Sequence, residues 1–206
     1  MANQIWQSFN STLSDVLEMT WPMILISVVL LSSLRLSYIL RSKEPFVLYK
    51  ELLTLFFVIY ILCMFQVVTF QDVSSAGSNN FVPFREIFRY NFGSRLFIKN
   101  IIGNVVMFIP YGFFVAYYGK SNNWKTTFLL VLVASLVIES TQLAIGRVFD
   151  VDDILLNVIG GFIGYFIYKL LNKLGDTCPK VFKSSVFLDI LTIIIFGMFA
   201  VYILWR

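Results

Sequence analysis

Apolar residues in this chain come in long runs, and six of them are long enough to cross about 30 Å of hydrocarbon. They are Trp21–Leu40, Leu52–Phe70, Ile101–Tyr118, Thr126–Ile145, Ile154–Leu171 and Val186–Leu204. Each run predicts a transmembrane helix, because in lipid a helix is the element that satisfies every backbone N–H and C=O within one segment. One long polar-to-aromatic stretch, 71–100, separates the second run from the third. It begins with loop chemistry in Ser74, Ser75, Ala76, Gly77, Ser78, Asn79 and Asn80. Pro83 can then occupy a first helical position, and Phe84, Phe88 and Phe92 recur every fourth residue with Arg85, Arg89 and Tyr90 between them. That spacing predicts a short amphipathic helix lying in the membrane interface. The pattern as a whole predicts an all-α fold: a polytopic transmembrane helix bundle of about six helices, forming a single membrane domain over residues 1–206.

Composition agrees. The chain is 58% hydrophobic and 14% charged, against about 25% charged for an ordinary soluble domain. Aromatic residues expected at headgroup level fall at the run ends: Trp21 and Trp205 on one side, Tyr117, Tyr118, Trp124 and Tyr168 on the other. The first run is too long and too late for a cleaved signal peptide, so its helix is expected to stay. Lys and Arg are distributed unequally, ten on one side (Arg35, Arg41, Lys43, Lys50, Lys120, Lys125, Lys169, Lys173, Lys180, Lys183) and six on the other (Arg85, Arg89, Arg95, Lys99, Arg147, Arg206). Cytoplasmic loops carry the excess, which predicts a multi-pass membrane protein with both termini and the loop 146–153 outside. The net charge of +4 is expected to meet anionic lipid and not nucleic acid. Arg35 is expected to snorkel to the inner surface, and Asp189 likewise to the end of its helix. Cys63 and Cys178 lie at different depths and predict no disulfide. Histidine is absent, so chemistry here must run on carboxylates, amides, Arg, Lys, Tyr and Ser.

Polar groups on three helices converge at one end. Asn100 and Asn104 open the third span one turn apart, Glu139 and Gln142 close the fourth, and Asp150, Asp152, Asp153 and Asn157 open the fifth. At 1.5 Å per residue, Glu139 lies about 9 Å inward of Ile145 and Asn157 about 6 Å inward of Asp153. A lipid-facing carboxylate costs at least ~2.5–3.5 kcal/mol, so these groups should face one another inside the bundle as a polar pocket. Arg147 stands in the intervening loop, and Arg85, Arg89, Arg95 and Lys99 ring the same face as candidate contacts for an anionic headgroup. Oxygen ligands suit a hard divalent cation such as Mg²⁺, with Asp150, Asp152 and Asp153 the candidate set, although their spacing fits no EF-hand loop. Plainer roles compete: Asp150 as a helix cap, Asp152 and Asp153 as first-turn acids, Asn104 and Asn157 as interhelical glue. Small residues at Gly160, Gly161 and Gly164 point to close helix packing.

The string Asn100-x-x-Gly103-Asn104-x-x-x-Phe108-x-Pro110-x-Gly112-Phe113, then Glu139-x-x-Gln142, then Gly146-Arg147-x-Phe149-Asp150-Val-Asp152-Asp153-Ile-Leu-Leu-Asn157-x-x-Gly160, resembles the VanZ-like family of bacterial membrane proteins. Asn80-Phe81-Val82-Pro83-Phe84 is similar to the Asn-Leu-Ile-Pro-Phe element that precedes it. The resemblance covers about residues 53–171, leaving the first and last helices outside. It implies a role in resistance to glycopeptide antibiotics of the teicoplanin type in Gram-positive bacteria, and it transfers no catalytic residue. Three functions are then in view. One is a protein that binds a lipid-anchored ligand at the outer leaflet, whether membrane lipid, a lipid-linked cell-wall precursor or the acylated antibiotic. The second is an enzyme acting on lipid-linked envelope intermediates, with Glu139 or Asp153 as general base and Mg²⁺ on the Asp150 loop. Lipid transport is the third; no internal repeat supports it.

Overall fold

The computed structural model describes the chain except residues 1, 43–45, 71–78, 121–122, 178–183 and 205–206; side chains of 2–17, 70, 95, 176 and 195–204 are also outside the described set. Its elements are α1 (Ala2–Ser42), α2 (Leu48–Phe70), α3 (Arg95–Phe97), a π-helical turn (Ile98–Ile102) that leads without a break into α4 (Gly103–Gly119), α5 (Trp124–Ala144), α6 (Val151–Thr177) and α7 (Ser185–Leu204). Five helical stretches are long and apolar enough to cross a membrane: Glu18–Ser42, Leu48–Thr69, Ile98–Gly119, Trp124–Ala144 and Val151–Gly175. The sixth expected span corresponds to α7, a 20-residue helix. The all-helical membrane bundle expected from the sequence is therefore what the chain forms. One boundary moves: α1 starts at Ala2, well before Trp21, because residues 2–20 contain neither Gly nor Pro to stop it. Pro22 is absorbed inside that helix.

α4 and α6 form the centre of the bundle, with α5 against α6. Their approach is set by glycine. A Cβ at Gly112 would run into the Gly161 carbonyl, one at Gly160 into the Val105 carbonyl, and one at Gly164 into the Ile109 carbonyl and the Phe113 amide. Gly161 in turn receives the Val131 side chain of α5. This is the close packing that Gly160, Gly161 and Gly164 suggested, with dispersion between backbones replacing a hydrophobic drive that lipid cannot supply. Phe108, Phe114, Ala116 and Val131 fill the space beside the seam and are almost wholly buried.

α2 joins the centre through the Tyr60 hydroxyl, which donates to the Met107 carbonyl at 2.7 Å. Arg35 makes a two-pronged bond to Glu51, both contacts 2.9 Å, and ties α1 to α2. Asp189 likewise has a structural task, accepting the Tyr49 N–H at 2.8 Å and so capping α2 from α7. Both partners lie beyond the reach of helical spacing, 16 and 140 residues away.

Candidate functional site

The polar end of the bundle is built by three helix termini and a strap. α5 stops at Ala144, and two residues on Gly146 takes a φ of +86°, free for a residue without Cβ. The Gly146 and Arg147 N–H groups reach back to the Leu143 and Gln142 carbonyls at 3.1 and 2.9 Å, closing the helix in a Schellman arrangement. Four residues on, Asp150 caps α6: its Oδ1 accepts the Asp152 N–H at 2.8 Å. The helix-cap role foreseen for Asp150 is thus real, but it is shared with a second one.

That second role is to hold the segment 79–90. Asn80 pairs its backbone with both sides of Asp150, its N–H donating to the Phe149 carbonyl at 2.8 Å and its carbonyl accepting from Val151 at 3.1 Å. Its side-chain amide donates to Asp150 Oδ1 at 2.8 Å. Phe81 stacks on Phe149 with ring centres 5.5 Å apart. Asp152, 1% exposed, accepts the N–H groups of Phe84, Glu86 and Ile87. These bonds explain the main correction to the expected fold. Residues 82–90 are a run of turns and not an amphipathic helix, because Asp152 takes the amides and Phe84 sits at φ +67°, in the left-handed region where a helix cannot continue. The aromatic surface remains without the helix, Phe84, Phe88 and Phe92 being 54%, 83% and 85% exposed. The loop residues 74–78 lie outside the described residues.

Beneath the strap lies a knot of buried groups. Glu139, 1% exposed, accepts the Asp150 N–H on Oε2 at 3.1 Å. The Gln142 amide, turned to satisfy its neighbours, donates to Glu139 Oε1 and accepts from Arg147 Nη1, each at 2.9 Å. Arg147 Nη1 also donates to the Val68 carbonyl of α2 at 2.9 Å. Arg147 therefore reaches Glu139 through Gln142 and forms no direct ion pair with it. Asn104 donates to Asp153 Oδ1 across α4 and α6. Asn157 donates to Ser135 of α5 at 2.9 Å, and its own carbonyl oxygen is left without a partner.

Most of the residues expected at the site do meet here: Asn104, Glu139, Gln142, Arg147, Asp150, Asp152, Asp153 and Asn157. Asn100 does not share the face of Asn104. It donates to the Tyr90 hydroxyl at 2.8 Å, because the π-helical turn widens the winding just before Asn104 and swings the two amides apart. Arg85, Arg89 and Lys99 are exposed on the strap side, Arg89 pairing with Glu86 at 3.1 Å; the side chain of Arg95 lies outside the described residues. Asp150, Asp152 and Asp153 diverge instead of converging on one ion, and among the described residues no three His, Cys, Asp or Glu side chains are grouped for a metal. The strap covers the Asp150 and Asp152 side of the anticipated pocket, while Asp153 and Asn104 stay partly accessible beside it. A shallow groove of about 430 Å³ elsewhere on α5 is lined by Val133, Leu136, Val137, Ser140, Thr141 and Ala144 and contains none of the knot.

Burial pushes the Asp150 carboxyl above its ordinary value, opposed by the Asp152 N–H and the Asn80 amide. Burial also raises the Tyr90 phenol, opposed by the bond from Asn100. Sequence spacing missed Tyr90, Asn79 and Ser135 as members of this site. Ser135 had a usable signal, standing one turn below Glu139 on α5; Asn79, which accepts the Phe149 N–H at 3.0 Å, and Tyr90 come from the loop and had none.

A family model described as VanZ/LLP1 matches residues 53–172, more than half of the chain and all of the knot and strap. The chain belongs to the VanZ/LLP1 family. Protein VanZ of Enterococcus faecium is 34% identical over 99 residues, which are 47% of this chain and 60% of that protein. No solved structure matches the chain. Helices α1 and α7 fall outside the matched part, so the family's region is α2 through α6 with the strap between them.

Proposed function

We propose that this VanZ/LLP1-family membrane protein contributes to protection against glycopeptide antibiotics of the teicoplanin type by holding a lipid-anchored ligand at the strapped end of the bundle. One observation carries the reading. Buried carboxylates that lipid would penalise are gathered under a strap whose outer surface offers exposed Phe81, Phe84, Phe88 and Phe92 beside Arg85 and Arg89. Aromatics with cations suit the boundary between acyl chains and phosphate headgroups. The bias of Lys and Arg toward the opposite loops favours the outer leaflet for this end, the surface where an acylated antibiotic and lipid-linked wall precursors both reside. Occupancy of the site would lower antibiotic access without any covalent step.

An enzyme using Mg²⁺ on the Asp150 loop would need its three aspartates turned to one ion. Asp150 and Asp152 are committed to Asn80 and to the 84–87 amides, so the geometry does not favour that second reading. The test is teicoplanin susceptibility of cells carrying the double variant Glu139→Gln, Asp153→Asn. Loss of protection by a normally inserted protein is the expected result, and protection equal to that of the parent chain would rule the site out.

A further inference from the structure

Asp153 is the poorest in donors of the carboxylates at this end. Asp152 receives three backbone N–H groups, Asp150 receives the Asn80 amide and the Asp152 N–H, and Glu139 receives the Gln142 amide and the Asp150 N–H. Asp153 receives the Asn104 amide alone. Arg147, the guanidinium facing this group, is engaged by Gln142 and by the Val68 carbonyl. Tyr90, from the strap, also lies within electrostatic reach of Asp153. One helical turn deeper on the same face, Asn157 is 1% exposed with its carbonyl oxygen unpartnered. Acceptors exceed donors where α4, α5 and α6 meet, and a buried acceptor left unmatched is costly. Asp153 and Asn104 remain partly accessible, so the deficit can be filled from outside.

We propose that this cluster binds the primary ammonium of a membrane-lipid headgroup, with Asp153 as its ion-pair partner and the Asn157 carbonyl oxygen as a second acceptor. The inference rests on the reading that a lipid-anchored ligand docks at this end, and it names the chemistry of that ligand. A primary ammonium carries three N–H donors and one positive charge, the two things the cluster lacks. The phosphate of the same headgroup, a few bonds away, then faces exposed Lys99 and Arg85 at the rim. A quaternary ammonium has the charge without the donors and would leave the acceptors unmatched.

The test uses the full chain in nanodiscs of phosphatidylglycerol containing equal amounts of an ethanolamine and a choline phospholipid, with retained lipid counted by native mass spectrometry. Retention of the ethanolamine lipid about tenfold over the choline lipid is expected, corresponding to one good charge-assisted contact. Asp153→Asn should reduce that preference to near unity, and Lys173→Gln, at the far end of α6, should leave it intact. Should Asp153→Asn fail to fold, the unsubstituted protein still decides: retention should fall stepwise across mono-, di- and trimethylated ethanolamine lipids. Equal retention across that series, or a preference that survives in folded Asp153→Asn, overturns the proposal. The two readings fail separately. A protein that protects cells but shows no ammonium preference removes this inference alone, and one that prefers the ethanolamine lipid but gives no protection removes the resistance role alone.

Discussion

Along their length α4, α5 and α6 meet in two different ways. In the apolar seam, Gly112, Gly160 and Gly164 let backbones touch and Gly161 receives Val131, so a Cβ at any of the four would clash. At the polar end the same helices are joined by Asn104, Glu139, Gln142, Asp153 and Asn157, with Asp150 and Asp152 spent on a strap. The seam needs only shape, and shape in a packed interior is unforgiving. The polar end needs donors and acceptors in balance, and it is short of donors. A rigid seam therefore holds helix ends whose own bonding is incomplete, which is the arrangement expected of a scaffold presenting a site.

The comparison is most exposed at the seam. Gly164→Val would place atoms inside the backbone of α4 at Ile109 and Phe113, and we expect no monodisperse folded protein by size-exclusion chromatography in detergent. A well-behaved peak would show that the seam can yield. Next in size is Asp152→Ala, which strands the N–H groups of Phe84, Glu86 and Ile87 at about 1–3 kcal/mol for each that finds no water. The strap should loosen while the helices stay, so hydrogen exchange should rise at residues 84–87 and not at 103–119. Arg147→Met removes the link between Gln142 and the Val68 carbonyl, with an expected loss of about 1–3 kcal/mol in denaturant unfolding. Combining it with Gln142→Leu should give a coupling of at least about 0.5 kcal/mol, since the two share one network. The smallest effect is expected at Phe88→Ser: this ring is 83% exposed, and stability should stay within about 0.5 kcal/mol.

Much of this was legible before the structure. Unbroken apolar runs fix the helices because lipid leaves the backbone no other solution, and helical spacing places Glu139 over Gln142 and Asp153 over Asn157. Depth arguments then bring three helix ends together, since burial cost forbids these groups from facing lipid. The strap was not legible. Its apolar period of four reads as a helix, and only the amide demand of Asp152, some 66 residues away from Glu86, turns it into turns. The pairing of Arg35 with Glu51 and of Asp189 with the Tyr49 amide is equally non-local. A π-helical turn ahead of Asn104 is a further case, because one extra residue per turn leaves no mark in hydropathy yet moves Asn100 to Tyr90.

The claim that the seam is scaffold and the polar end is site is met most directly by Asp153→Asn, read for teicoplanin susceptibility and for melting temperature at matched membrane abundance. The account predicts lost protection with a melting temperature within a few degrees of the parent chain, because the substitution keeps an acceptor for Asn104 and removes only the charge. Full protection by the folded variant would contradict it and return Asp153 to the role of a first-turn acid of α6.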